Sequence, residues 1–378
     1  MTDIRPFTVS IAEETVQDLH QRLSMTRWPE AETPDDWSQG VPLSYTQALA
    51  DYWHNEYDMQ RLANRLNAYP NFLTEIDGLD IHFIHVRSSR EDAEPLILTH
   101  GWPGSVVEFL KVIGPLTEPN AHGQPDAPAY HLVIPSLPGY GFSGKPTETG
   151  WGVEKIASTW AKLMARLGYE AYFAQGGDWG AIVTTNIGRV DPSHCKGIHL
   201  NMVVSPPDPS ASDLTPLEVS GLEGMAYYND WDSGYSKQQS TRPQTLGYAL
   251  VDSAAGQMAW ILEKFWAWTD SDGDPLNVLS RDELLDNIMV YWINAAGASS
   301  ARLYWESFGG SAQQTAVTVP MGGTIFPKEI FRTSKRFAQR VYTNIVYWAE
   351  KDKGGHFAAF EQPETYIEEV RNCFGKIK

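Results

Sequence analysis

The chain has 378 residues and is poor in cysteine, in basic charge and in long apolar runs. Its two cysteines, Cys195 and Cys373, lie far apart. They supply neither a disulfide framework nor the paired spacing of a zinc site, and they read as small buried apolar residues. Lys and Arg number 29 against 47 Asp and Glu, a formal net charge of −18. That balance speaks against nucleic acid or an anionic membrane as a partner. The first 14 residues carry acids and no apolar h-region, and no unbroken apolar run could span a bilayer. The expectation is a cytoplasmic protein without signal peptide or membrane anchor. Internal repeats and low-complexity runs are also missing. What is present is 42% hydrophobic residues, enough for a large core over roughly two or three domain-sized units.

The chain is organised around Ala174-Gln175-Gly176-Gly177-Asp178-Trp179-Gly180-Ala181. An apolar run over 171–174 enters it and a helical pattern over 181–187 leaves it, giving strand, sharp turn and helix. Small residues sit two before and two after the central position, the spacing of the G-x-S-x-G elbow of α/β-hydrolases. The exposed position here holds a carboxylate, Asp178. A serine alkoxide suits an acyl carbon. A carboxylate is a weak base and suits displacement at a strained or activated alkyl carbon, leaving an ester that water must cleave.

Residues 1–70 read as an N-terminal wrap. Val9, Ile11, Val16, Leu19 and Leu23 recur at helical spacing, and Tyr45, Leu49, Tyr52 and Trp53 form a second apolar face beyond a Pro-rich acidic loop. From residue 71 the pattern shifts to strands. Runs over 72–76 and 81–86 flank Asp77-Gly78, a hairpin signal. Short buried strands over 96–99 and 132–134 end in glycine-rich loops, a helix spans 153–167, and 197–204 reads as another strand. Strand and helix in alternation predict a mostly parallel sheet of an α/β-hydrolase, with its chemistry at the strand C-termini. Ser205-Pro206-Pro207-Asp208-Pro209 breaks the pattern. Residues 205–315 are helical and aromatic-rich and read as a lid. The core then resumes over 316–378, with closing strands at 317–319 and 345–348 and a last helix over 363–373. Asp270-Ser271-Asp272-Gly273-Asp274 superficially suggests a calcium loop, but no glutamate closes it, and a turn between helices accounts for it better.

A covalent ester mechanism needs nucleophile, base and orienter together. The base should be a histidine after the last strand. Of ten histidines only His356 fits, in Lys353-Gly354-Gly355-His356-Phe357. The acid should follow the preceding strand, which points to Glu329; Glu350 and Asp352 are rivals nearer His356 in sequence. The oxyanion donors should be the backbone amides of Trp102 and Trp179. His100 reads as a structural histidine.

His100-Gly101-Trp102-Pro103-Gly104-Ser105, Gly176-Gly177-Asp178-Trp179-Gly180 and Gly354-Gly355-His356-Phe357-Ala358-Ala359-Phe360-Glu361 together resemble the microsomal-type epoxide hydrolases, a group with juvenile-hormone and microbial members. Arg27-Trp28-Pro29 extends the resemblance through the N-terminal wrap. The resemblance implies two lid tyrosines that grip the epoxide oxygen, matching Tyr235 and Tyr304, and it supports Glu329 as the relay acid. It implies a small hydrophobic epoxide as substrate, a vicinal diol as product and no cofactor or metal, and it leaves a homodimer open. Two rivals stand beside it. A haloalkane dehalogenase shares the aspartate elbow, although the His100 loop lacks the dehalogenase pattern. A catalytically silent α/β-hydrolase that binds a hydrophobic signal is the other.

Overall fold

The short apolar runs become the strands of one nine-stranded sheet. The computed structural model describes residues 3–208, 210–308 and 315–377. Its strands are β1 (Ile4–Phe7), β2 (Asn71–Ile76), β3 (Leu79–Val86), β4 (Glu94–Thr99), β5 (Tyr130–Pro135), β6 (Tyr172–Gly176), β7 (Cys195–Leu200), β8 (Met321–Ile325) and β9 (Ile345–Glu350). They lie in the order β1-β2-β3-β5-β4-β6-β7-β8-β9. The pairings from β1 to β5 are antiparallel, and all those from β5 to β9 are parallel. Central strands such as β4 and β6 read as unbroken apolar runs because helices cover both faces of the sheet. Helices Val153–Arg166 and Trp179–Val190 pack together on one side, and Leu110–Thr117 and Pro363–Phe374 on the other.

Asp77 and Gly78 both have positive φ, 54° and 82°, and join β2 to β3 with Ile76 opposite Leu79. That is the two-residue turn whose twist matches the strands it links. The region read as a lid carries helices Pro216–Tyr227, Gly234–Thr241, Pro243–Asp252, Ala254–Trp268, Arg281–Ile293 and Gly297–Phe308. Residues 209 and 309–314 of that range, and residues 1, 2 and 378 of the flanking ranges, lie outside the described residues. Among the described residues no helix is long and apolar enough to cross a membrane.

Four expectations are corrected. The N-terminal segment is not purely helical, since Ile4–Phe7 forms the edge strand of the main sheet. Four residues are too few for a pattern, and Pro6 is tolerated only because the strand is an edge. Val9 and Ile11 precede the first helix, which starts at Glu13. β7 stops at Leu200, short of 204. The strand expected at 317–319 lies at Met321–Ile325, and Val317 makes only an isolated bridge to Tyr342. Gly322 and Gly323 hide that strand from a propensity reading. A Cβ on Gly322 would lie 2.3 Å from the Cys373 sulfur, so glycine is what lets the last helix sit down on β8. Asp270 to Asp274 form the turn between helix Ala254–Trp268 and the short turn Pro275–Asn277.

Candidate active site

β6 ends at Gly176, and two residues later Asp178 stands at φ 50°, ψ −130° before helix Trp179–Val190 begins. A non-glycine residue held there costs on the order of 1–3 kcal/mol and persists only where its surroundings over-determine it. The neighbouring glycine is part of that determination: a Cβ on Gly180 would lie 1.9 Å from the Thr99 carbonyl oxygen of β4. The elbow helix therefore starts hard against the next strand and pushes the Asp178 side chain out over the strand ends.

The Asp178 carboxylate is held at both oxygens. Oδ1 accepts the Trp102 amide at 2.8 Å, and Oδ2 lies 3.4 Å from His356 Nε2. The other imidazole nitrogen, Nδ1, lies 2.7 Å from Glu329 Oε1, which also accepts the Ile330 amide at 2.7 Å. The sequence-predicted nucleophile, base and acid thus meet in one line. Glu329 is 2% exposed, whereas the rivals Glu350 and Asp352 are open to solvent.

Loop contacts fix this line. The Lys328 amide donates to the Gly354 carbonyl at 3.1 Å, zipping the acid loop to the histidine loop. The His356 amide donates to the Trp268 carbonyl at 2.9 Å, so the lid holds the histidine directly. Asp270, in the turn that resembled a calcium loop, accepts the Gly354 amide at 2.9 Å, and its own amide donates to Glu361 at 2.9 Å. Burial raises the Glu361 carboxyl to about 7. These two buttresses escaped the sequence reading. Asp270 stands out in the sequence only as part of a calcium-like run, and Glu361 only as the end of the His356 motif.

Electrostatics favours a charged imidazole. Burial alone would depress the His356 pKa, but Glu329 and Asp178 outweigh it and carry it well above its ordinary value of 6.5. His100 behaves otherwise. It donates from Nδ1 to the Gly101 carbonyl at 2.9 Å and accepts the Leu137 amide at Nε2, and burial lowers its pKa to about 4. It ties two loops together as a neutral ring. The Trp102–Pro103 peptide is cis. The Trp179 amide opens the elbow helix beside Asp178 and, among the described residues, makes no hydrogen bond to its carboxylate.

Both lid tyrosines reach the same place. The Tyr235 ring stacks on the Trp102 indole at 4.8 Å and 9°. Tyr304 meets Trp102 edge-on at 5.9 Å and Trp179 at 4.8 Å, and the two phenol rings are 5.8 Å apart. Burial raises both phenol pKa values well above 10, and the nearby Asp178 charge adds to the effect, so both groups keep their protons as neutral phenols. The Tyr304 hydroxyl has no hydrogen-bond partner among the described residues, and the Tyr235 hydroxyl meets that of Tyr228 at 3.1 Å. The Lys264 ammonium, itself nearly buried, lies 4.6 Å from the centre of the Tyr235 ring. Asp232 binds it at 2.8 Å and also accepts the Trp268 indole N–H at 2.6 Å. Tyr228, Lys264 and Asp232 carry no motif that would have singled them out.

A carboxylate on a strained elbow after a parallel strand, with a histidine and an acid from later strand ends, defines an α/β-hydrolase. Residues 94–273 match the family described as alpha/beta hydrolase fold, and residues 4–109 match epoxide hydrolase N terminus. The chain is 51% identical over 376 residues to a provisionally named epoxide hydrolase of Stigmatella aurantiaca, covering 99% of this chain and 86% of that one. It is 37% identical over 408 residues to Epoxide hydrolase 1 of Oryctolagus cuniculus, covering 99% and 89%. The crystal structure of juvenile hormone epoxide hydrolase from the silkworm Bombyx mori superposes with a TM-score of 0.92 at 32% identity, covering 100% of this chain and 95% of that one. The chain belongs to the epoxide hydrolase family and is a hydrolytic enzyme.

Proposed function

We propose that the enzyme opens an oxirane to a vicinal diol through an alkyl ester on Asp178. The observation that carries this reading is one carboxylate that faces an imidazole at 3.4 Å and accepts the amide of Trp102, the residue whose indole both buried phenol rings pack against. Tyr235 and Tyr304 hydrogen-bond the oxirane oxygen. As Asp178 attacks a ring carbon, the C–O bond breaks and one phenol gives up its proton to the departing oxygen. Charge grows on that oxygen only as the ring opens, so these bonds favour the transition state over the bound epoxide.

In the second half, with Asp178 esterified, the His356 imidazolium passes its proton to the phenolate; the neutral ring, oriented by Glu329, then takes a proton from water as the oxygen adds to the ester carbonyl carbon. The Trp102 amide already binds one Asp178 oxygen in the resting site, and we assign it, with the Trp179 amide, to the tetrahedral oxyanion; one such donor is typically worth ~3 kcal/mol. Collapse breaks the bond to the diol oxygen, which takes the proton back from His356. The proton left on the Asp178 carboxyl returns to His356 and restores the resting imidazolium. The aromatic lid suits a small hydrophobic epoxide. The relatives lend no support to the dehalogenase alternative.

The test is isotopic. Single turnover in heavy-oxygen water should put the label into Asp178, read by peptide mass spectrometry, and leave the first diol unlabelled. Asp178→Ala should be inactive yet folded, and His356→Gln should accumulate the ester. Label in the first diol would end the covalent scheme.

A further inference from the structure

Lys264 is a buried cation in the lid that this scheme does not use. Its side chain is 3% exposed, and its ammonium donates to Asp232 at 2.8 Å and to Glu263 at 2.9 Å. A staple within the lid is the plain account of such a group. It is a weak account, because taking an ion pair out of water costs about as much as the pair returns, and a packed apolar side chain would hold the lid as well. Two features exceed that role. The ammonium lies 4.6 Å from the centre of the Tyr235 ring and 5.4 Å from that of Trp268, inside the reach of about 6 Å over which a cation is drawn to an aromatic face. Residues 228–232 also form one π-helical turn, a rare geometry that recurs at functional sites. Its first residue, Tyr228, meets the Tyr235 hydroxyl at 3.1 Å, and its last, Asp232, holds the ammonium. One turn thus serves both the hydroxyl and the ring of a single phenol.

The two lid phenols are therefore unequal. Tyr235 has a cation over its ring and a partner at its hydroxyl. Among the described residues, Tyr304 has neither. A neutral phenol attracts a cation only through the quadrupole of its ring. A phenolate carries a full negative charge spread into that ring, so the attraction to Lys264 grows as the proton leaves. The Tyr228 hydroxyl, which both donates and accepts, can then donate to the phenolate oxygen. Interactions that strengthen along the reaction lower the barrier to that step. Asp232 works the other way, because its negative charge offsets part of the ammonium's field at the ring.

Taking the covalent ester as the reaction, we propose that Tyr235 is the phenol that gives up its proton and that Lys264 is the positioning residue that selects it. As an Asp178 oxygen bonds to the ring carbon, the C–O bond breaks and its electron pair stays on the departing oxygen. That oxygen takes the proton of Tyr235, which is left as the phenolate. Tyr304 keeps its proton and contributes a hydrogen bond alone. Lys264 also keeps its proton throughout.

The experiment introduces Lys264→Met into wild type, Tyr235→Phe and Tyr304→Phe, and follows single turnover with styrene oxide. Ester formation and decay are measured separately by rapid quench and intact-protein mass. In wild type and in Tyr304→Phe, Lys264→Met should slow formation about 10-fold, the rate equivalent of one cation held against a ring in a dry site. It should add nothing in Tyr235→Phe, where no proton is left to give, and decay should not slow in any background. Asp232→Asn keeps an acceptor for the Trp268 indole but removes the opposing charge, so it should form ester as fast as wild type or faster. Equal slowing by Lys264→Met with and without the Tyr235 hydroxyl would overturn the proposal, as would formation at the wild-type rate in Lys264→Met. Slow formation in Asp232→Asn would overturn it too, even if Lys264→Met does not fold, because losing either half of a staple has the same sign. Absence of any ester in wild type would instead bring down the covalent reading on which the proposal rests.

Discussion

In the proposed scheme His356 must carry a proton in one half of the cycle and lack it in the other. In the resting site it stands between two carboxylates, Glu329 at 2.7 Å and Asp178 at 3.4 Å, and they hold its pKa well above the ordinary value. A histidine in that state is a poor base. Formation of the proposed alkyl ester would convert Asp178 from an anion to a neutral group, which removes one of the two charges. The sign is fixed, because losing a neighbouring negative charge disfavours the imidazolium and lowers the pKa. The first chemical step thus prepares the base for the second. Asp178→Asn imitates the neutral ester in shape and charge. The His356 imidazole of that variant should titrate about 1 to 3 pH units below wild type, the usual effect of one close opposite charge, as read by NMR of the ring protons. An unchanged titration would mean that Glu329 alone sets the proton affinity and that the two halves are not coupled in this way.

Legibility differed between elements for physical reasons. The hairpin, the elbow and the loops bearing Trp102 and His356 were readable because each is a short run of glycine and small residues around one chemically distinctive side chain. Such loops cannot be built from arbitrary residues where backbones approach as closely as Gly180 and Thr99 do. β1 and β8 were unreadable or displaced, one because it has four residues and the other because its middle is two glycines. The lid tyrosines were invisible to sequence physics: among 17 tyrosines, helical spacing cannot separate a phenol that packs from one that donates. Only resemblance singled out Tyr235 and Tyr304, and nothing singled out Tyr228. The lid's first helix also shows how an element is pinned. Thr215 and Glu218 form a capping box at the start of Pro216–Tyr227, and Glu218 accepts Arg336 at 2.5 and 2.6 Å and Ser334 at 2.5 Å. The Arg336 guanidinium, ahead of the hydroxyl and amide bonds, lowers the Glu218 pKa from 4.5 to about 2. A depressed carboxyl stabilises the fold above its unfolded pKa and loses that contribution as pH falls through the folded one. Glu218→Gln should therefore cost on the order of 1 kcal/mol near pH 7, the scale of hydrogen bonds to a charged group. The gap from wild type in denaturant unfolding should narrow as pH falls from 4.5 towards 2. A gap that stays constant with pH would show that the charge of Glu218 is irrelevant.

At the scale of the molecule, the N-terminal segment is a brace for the lid, and through the lid for the active site. The fully buried Asp286 of helix Arg281–Ile293 accepts the Tyr57 hydroxyl at 2.8 Å, Arg61 at 3.1 Å and Arg65 at 2.6 Å. Tyr52 and Tyr45 reach Asp282 and Asp274 in the same region, each at 2.8 Å. The next residue along the helix, Asn287, donates to the Pro103 carbonyl at 2.7 Å and accepts the Ser105 hydroxyl, while Tyr291 donates to the Gly104 carbonyl at 2.7 Å. Those carbonyls belong to the loop whose Trp102 amide binds Asp178. A contact between the wrap and the lid therefore helps to hold the loop whose Trp102 amide is the proposed oxyanion donor. Asp286→Ala removes the acceptor shared by two arginines and a tyrosine. Breaking a buried ion pair from one side costs about 3–5 kcal/mol. The guanidinium side chains are 31% and 25% exposed, and water can recover part of that loss, so the lower figure is expected. Denaturant unfolding should show that loss, and kcat should fall even at temperatures where the variant is fully folded, because helix Arg281–Ile293 no longer clamps the Pro103 to Ser105 loop. Loss of stability with kcat intact would confine Asp286 to holding the fold. Loss of neither would mean that the wrap does not brace the lid through this cluster.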